Sequence, residues 1–195
     1  MQTLYIIGNG DFAKQIVKSD KKYSKLKNIK VVKIFPKKEF QSFLLSKQKK
    51  DYFIAIGDCN ERSIIFRKLM KNNNLNFKSI IFEGTHMSKG VTIEPGSFVT
   101  VGSHISNDTI IKKGTYVFGH SSIGHDTKIG EFSNIGSHVF IGGRCKIGKY
   151  VSIGGHSFVK DKISIVDNVK IAPGSIVLTN IKKPGTYFGN PAQKI

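Results

Sequence analysis

SSIGHDTKIGEFSNIGSHVFIGGRCKIGKYVSIGG, residues 121–155, sets an aliphatic at every sixth position: Ile123, Ile129, Ile135, Ile141, Ile147 and Ile153. The same phase extends back through Val117, Ile111, Ile105 and Val99 to Ile93, and forward through Val159, Ile165 and Ile171 to Val177. Every position in this run is Ile or Val, which chance does not supply. Two places before the aliphatic stands a small or β-branched residue, as at Ser97, Ser103, Thr109, Thr115, Ser121, Thr127 and Ser133. One place after it glycine recurs, at Gly124, Gly130, Gly136, Gly142, Gly148 and Gly154.

Six residues make one short flat strand and a corner, and three such units close a triangular coil of about eighteen residues. The aliphatic points into the prism, where its counterparts on neighbouring coils stack on it. Small residues fill the remaining inward space, and glycine accepts the positive φ that a corner can demand. One coil buries almost nothing, so several must stack. The run from Ile93 to Val177 has room for about five. The period therefore predicts a parallel β-helix.

Residues 1–82 lack this period. Leu4–Ile7 reads as a strand ending in Gly8-Asn9-Gly10, followed by a helix with Phe12, Ile16 and Val17 on one face. Val31–Phe35 reads as a second strand, Phe40–Leu45 as a short helix and Tyr52–Ile56 as a third strand ending in Gly57-Asp58. Asn60 is placed to cap a further helix that stops at Asn72-Asn73-Asn74, and Ser79–Phe82 reads as a last strand. Strands alternating with helices predict a small parallel α/β unit. Its turn, Gly8-Asn9-Gly10-Asp11-Phe12-Ala13, fits G-x-G-x-x-A in the context where a phosphate approaches a helix N-terminus. The unit is only half a dinucleotide-binding domain and has no acid ending its second strand, at Phe35-Pro36-Lys37-Lys38. A redox dinucleotide is therefore not expected. A nucleotide of another kind and a purely structural turn both fit.

The net charge of +18 invites a nucleic-acid reading. The lysines are scattered, however, and no basic recognition helix is present, so a solvated lysine-rich surface is expected and nucleic acid is not. No run of apolar residues is long enough to span a membrane. The opening MQTLYIIGNG reads as a strand and not a signal peptide. Cys59 and Cys145 stand in unrelated contexts and give neither a disulfide framework nor a metal site. These features suit a cytoplasmic protein.

YIIGNGDFAKQIV, DYFIAIGDCNERSIIFRKL, SSIGHDTKIGEFSNIGSHV and the terminal GNPAQKI resemble, in order and spacing, the hexapeptide-repeat sialic acid O-acetyltransferases and UDP-4-amino-sugar (bacillosamine) N-acetyltransferases of bacterial surface-glycan biosynthesis. The resemblance implies a half-Rossmann-like domain, residues 1–82, that binds a nucleotide sugar. Behind it would lie a left-handed β-helix, residues 83–195, that uses acetyl-CoA as co-substrate between neighbouring subunits of a homotrimer. It implies His125 as general base and Asp126 as the carboxylate that raises its basicity. A neutral imidazole can take a proton from an amine or hydroxyl as it attacks a thioester, and no enzyme nucleophile is required. By match to family positions, Asn134, Gly155, Ala172 and Pro173 line the CoA site. Gly8, Gly10, Asp11, Phe12, Gly57 and Asp58 hold the nucleotide sugar. Gly143 joins the CoA residues by coil arithmetic: it stands one coil beyond His125. There its backbone amide either serves the thioester oxygen as a donor or holds the pantetheine arm, or it is an ordinary corner glycine.

Two departures from the family pattern are visible. Asn134 stands where relatives carry a histidine that contacts acetyl-CoA. The acidic pair that holds the nucleotide is absent around Phe35-Pro36, which leaves the uridine nucleotide open. The implied reaction is N-acetylation of a UDP-4-amino-4,6-dideoxy sugar. O-acetylation of a sialic acid-like sugar, N-acetylation of another dideoxyamino sugar nucleotide and a non-catalytic trimeric scaffold are the alternatives. His120, His138 and His156 share one corner of successive coils and should stack, a pattern that shared register explains without a metal.

Overall fold

The computed structural model describes residues 3–8, 10–23, 29–32 and 37–195. Asn9 of the glycine turn, and Phe35-Pro36 with the end of the strand expected over Val31–Phe35, lie outside the described residues. Contacts divide the chain into two compact units, Met1–Ile80 and Ile81–Ile195.

In the second unit the six-residue period becomes two-residue strands that visit three sheets in turn: Ser122–Ile123, Lys128–Ile129, Asn134–Ile135 and onward. The sheets hold five, eight and six strands. Neighbouring coils pair in parallel with identical positions in register: Ile123 opposite Ile141, Ile129 opposite Ile147 and Ile135 opposite Ile153. The result is a left-handed parallel β-helix of about 6 turns. It begins before Ile93, because Met87 takes an aliphatic position and pairs with Ile105. The strand expected at Ser79–Phe82 is replaced by Ile80–Ile81, the first strand of the eight-stranded sheet. The regular coils end in a Gly185–Gly189 strand paired antiparallel with Ala192–Lys194.

The aliphatic column from Val99 to Val177 is the core. The small residues do more than fill space. Thr109, Ser121, Thr127 and Ser133 donate to the carbonyls of Gly124, Gly136, Gly142 and Gly148 on the next coil at 3.0, 2.7, 3.0 and 2.9 Å. Each such buried bond contributes about 0.5–1.5 kcal/mol net.

The corner glycines have a different cause from the one expected. Positive φ does not fall on Gly124, Gly130, Gly136, Gly142, Gly148 or Gly154 but on non-glycine residues two places later, such as Asp126 (φ 56°), Phe132 (56°), His138 (58°) and Arg144 (60°). The glycines are there because the next coil comes too close for a side chain. A Cβ on Gly124 would stand 2.4 Å from the Gly143 nitrogen, and one on Gly130 2.5 Å from the Gly148 carbonyl carbon.

In the first unit, β1 (Leu4–Ile7), α1 (Asp11–Tyr23), β2 (Ile29–Val32), α2 (Lys37–Leu44), β3 (Lys50–Ile54), α3 (Cys59–Leu69) and β4 (Leu75–Phe77) alternate along the chain. The sheet order is β2-β1-β3-β4 with every pair parallel. Ile6, Ile7, Tyr52, Phe53 and Ile54 are fully buried in it. Asn60 does not cap α3. Asp58 does, in extended conformation, and its carboxylate accepts from the Asn60 and Glu61 amides at 3.0 and 2.8 Å. An acceptor must stand before the first helical residue, and Asn60 is already inside the first turn.

Candidate active site

The corner after the Ser122–Ile123 strand carries His125 and Asp126, whose side chains are 48% and 51% exposed. His125 Nδ1 lies 2.7 Å from Asp126 Oδ2. With Nδ1–H donating to the carboxylate, the ring's lone pair is on Nε2. The corner is held by backbone: the Gly124 amide donates to Ile141, that of Asp126 to Asn107 and that of Arg144 to His125, at 2.8, 2.9 and 2.7 Å. The left-handed conformation of Asp126 is one that a short polar side chain tolerates.

Gly143 lies against the imidazole. A Cβ there would stand 2.8 Å from His125 Nε2 and 3.0 Å from Cδ2. Gly142 has another role, since its Cβ would meet the Asp161 backbone nitrogen at 2.5 Å. Among the described residues the Gly143 N–H meets no carbonyl acceptor. One residue of this corner escaped the sequence reading. Arg144 places Nε 3.8 Å from Asp126 Oδ2, the same oxygen that His125 engages. Its position one coil after Asp126 was the available signal.

The remaining residues expected at the CoA site are not gathered here. Asn134 is half-buried on another face, in register between Tyr116 and Ser152. Gly155, Ala172 and Pro173 occupy the corner that follows that face, where a Cβ on Gly154 would strike Pro173 at 2.5 Å. One whole face, carrying Phe140 and Phe158 stacked at 5.2 Å, separates that corner from His125 within the chain. On the same corner as Gly155, His138 stacks between His120 and His156 at 5.2 and 4.8 Å. Among the described residues no group of three or more His, Cys, Asp or Glu is arranged to hold a metal.

In the first unit, β1 and β3 are adjacent, and the chain order reverses between them. In open parallel sheets this switch point, at the carboxyl ends of the strands, is where crevices form. Gly8 and Gly10 follow β1, and Gly57 and Asp58 follow β3. Gly8 is required by packing, because its Cβ would lie 2.6 Å from the Ala55 oxygen. Among the described residues nothing lies within 4 Å of a Cβ on Gly10 or Gly57, so among these residues both border open space. Asp11 opens α1, and its hydrogen bond from Lys14 at 2.9 Å holds its carboxyl below the ordinary range. Phe12 is half-buried beside it. Asp58 spends Oδ1 on its own helix. Arg62, fully buried, fastens the turn by donating to the Ile56 and Gly57 carbonyls at 2.7 and 3.1 Å.

A depression of about 360 Å³ on the β-helix is lined by Lys112, Lys128, Lys146 and Lys149 with Glu131 and Asp167, and does not include His125. Among the described residues no helix is long and apolar enough to cross a membrane.

The bacterial transferase hexapeptide (six repeats) family matches residues 126–161. No curated protein sequence matches the chain. Among solved structures, PerB from Caulobacter crescentus in complex with CoA and GDP-perosamine is 20% identical, with a TM-score of 0.88 over 99% of this chain and 97% of that one. The acetyltransferase domain of PglB from Neisseria gonorrhoeae FA1090 in complex with acetyl coenzyme A is 19% identical, with a TM-score of 0.84 over 100% and 99%. WeeI from Acinetobacter baumannii AYE is 16% identical, with a TM-score of 0.74 over 98% and 99%. The chain thus carries a bacterial transferase hexapeptide repeat within a left-handed β-helix and has the fold of these three proteins.

Proposed function

We propose that the protein is a cytoplasmic acyltransferase that moves an acetyl group from acetyl-CoA to the amine of a nucleotide-linked amino sugar, in the manner of a UDP-4-amino-4,6-dideoxy sugar N-acetyltransferase. The observation that carries this reading is the His125–Asp126 pair at 2.7 Å, half-exposed, with Nε2 turned to Gly143 and away from the carboxylate. Asp126 fixes the tautomer. Nε2 of the neutral ring then takes the proton from the amine as its nitrogen bonds to the acyl carbon. Acetyl-CoA supplies that carbon and leaves as the thiol once the proton reaches sulfur. The Gly143 amide, close to the imidazole and without a carbonyl partner, suits a donor to the acyl oxygen.

The acetyl-CoA residues fit a shared site better than a site within one chain. Gly143 stands on His125's corner, while Asn134, Gly155, Ala172 and Pro173 lie across an entire prism face from it. A homotrimer with each groove formed by two copies unites them, and the exposed Phe140 and Phe158 face suits such contact. The first unit receives the nucleotide sugar at the switch point of its sheet, through Gly8, Gly10, Asp11, Phe12, Gly57 and Asp58, with Gly10 and Gly57 bordering the open space among the described residues. The GDP-perosamine and CoA of the PerB structure support a nucleotide-linked amino sugar as acceptor. They leave the base of the nucleotide unassigned.

The test is a panel of UDP-, GDP- and dTDP-linked amino sugars incubated with acetyl-CoA, with products read by mass. Gain of one acetyl group on an amine supports the reading. Acetylation confined to hydroxyls would replace it by O-transfer. Failure of any acceptor, together with absent binding of acetyl-CoA, would leave only the scaffold.

A further inference from the structure

One corner of the prism carries an ordered run of charge. Asp108, Asp126, Arg144 and Lys162 occupy the same position on four consecutive coils, with φ of 56°, 56°, 60° and 61°. In this left-handed conformation a side chain leans back over the preceding coil. Asp108 Oδ1 would lie 2.0 Å from a Cβ on Gly90, and His120 Nδ1 2.4 Å from one on Gly102, each one coil earlier. Arg144 follows the same rule and leans over Asp126, with Nε 3.8 Å from Oδ2. Asp126 is thereby set between a carboxylate one coil back and a guanidinium one coil ahead. The Arg144 amide also donates to the His125 carbonyl at 2.7 Å.

We propose that Arg144 is a positioning residue of the transfer site, holding Asp126 Oδ2 against His125 Nδ1 so that Nε2 is presented to the acceptor. The proposal rests on the assignment of His125 as base and names what orients its orienting carboxylate. Along the prism, Asp161 shares the column of His125 and Gly143, and Asp108 and Lys162 share that of Asp126 and Arg144.

The experiment compares wild type, Arg144→Gln, Arg144→Lys and His125→Ala in full pH profiles of kcat and kcat/KM, with Tm and acetyl-CoA affinity in parallel. Arg144→Gln is expected to lower kcat about 3–10-fold with acetyl-CoA affinity unchanged. KM for both substrates should stay unchanged, because the role assigned to Arg144 is to hold Asp126 and not to touch a ligand. The deficit in kcat should level off in 1 M salt, where the Debye length is about 3 Å and the wild-type ion pair is itself screened. Arg144→Lys keeps the charge and should restore kcat. Unchanged kcat in Arg144→Gln, with His125→Ala inactive, overturns the role of Arg144 and leaves the base intact. A loss confined to KM for either substrate overturns it too, since Arg144 would then be a ligand contact. If His125→Ala stays active, the functional reading itself fails, whatever Arg144 does.

Discussion

Substituting Gly143 by alanine tests whether the imidazole must lie where the structure puts it. The backbone at Gly143 is outside the left-handed region, so alanine costs no φ strain there. The obstacle is His125. The new Cβ would sit 2.8 Å from Nε2, 3.0 Å from Cδ2 and 3.2 Å from Cε1, whereas carbon and a ring atom rest about 3.5–4.0 Å apart. Roughly 0.7–1 Å of movement must be found. The half-exposed ring is the softest element present, so the ring moves and its 2.7 Å bond to Asp126 lengthens. A misplacement of about 1 Å at a reacting centre can cost about 10²-fold, so kcat/KM should fall by about 10–10²-fold. Thermal stability should change little, because a side chain yields and the coil does not. Gly124→Ala is the control. Its Cβ meets the Gly143 nitrogen at 2.4 Å and the Gly142 carbonyl carbon at 2.6 Å, backbone that cannot rotate aside. It should cost about 1–3 kcal/mol or more of stability, read by urea unfolding. Full activity of Gly143→Ala with acetyl-CoA and the acceptor amine would refute the placement of Nε2 as the proton acceptor.

His125→Ala should lower kcat by about 10²–10⁴-fold and leave acetyl-CoA affinity nearly unchanged, by stopped assay and calorimetry. Asp126→Asn should cost less, since it keeps the imidazole and removes only the charge that steadies its protonated form. Thr127→Val deletes the hydroxyl that donates to the Gly142 carbonyl at 3.0 Å and accepts from the Cys145 amide at 3.1 Å, leaving two buried groups unsatisfied. About 1–3 kcal/mol should be lost on urea unfolding, and an unchanged midpoint would show that the hydroxyl ladder is ornamental. Light scattering at micromolar concentration should give three times the 21.6 kDa chain mass, and a lone monomer would leave Gly155 and Ala172 with no route to His125.

The period of six carried much of the second unit because its arithmetic is exact. Three hexapeptides return the chain to the same place, so any residue's neighbours along the prism can be counted. The stacked His120, His138 and His156, and Gly143 beside His125, follow from counting alone. Counting failed where the repeat is masked by substitution, as at Met87, and where local geometry intervenes. Glycine after the aliphatic looked like a residue chosen for positive φ. It serves close approach of the next coil, and the left-handed turn falls on Asp126, Phe132 and Arg144. In the first unit the glycine turns after β1 and β3 were readable as punctuation. That they meet at the switch point was not, because strand order is a long-range choice among pairings.

The sequence by itself determined the prism, its register and the residues that share each column, since a repeated local pattern admits only one way to stack its aliphatics. Tertiary structure alone decided where side chains point and what they touch: that Asp58 spends a carboxylate oxygen on its own helix, that Gly8 is needed beneath Ala55, and that one oxygen of Asp126 serves both His125 and Arg144. Those outcomes depend on rotamers and on contacts across coils or strands, set by the packing of the whole unit and carried by no local spacing.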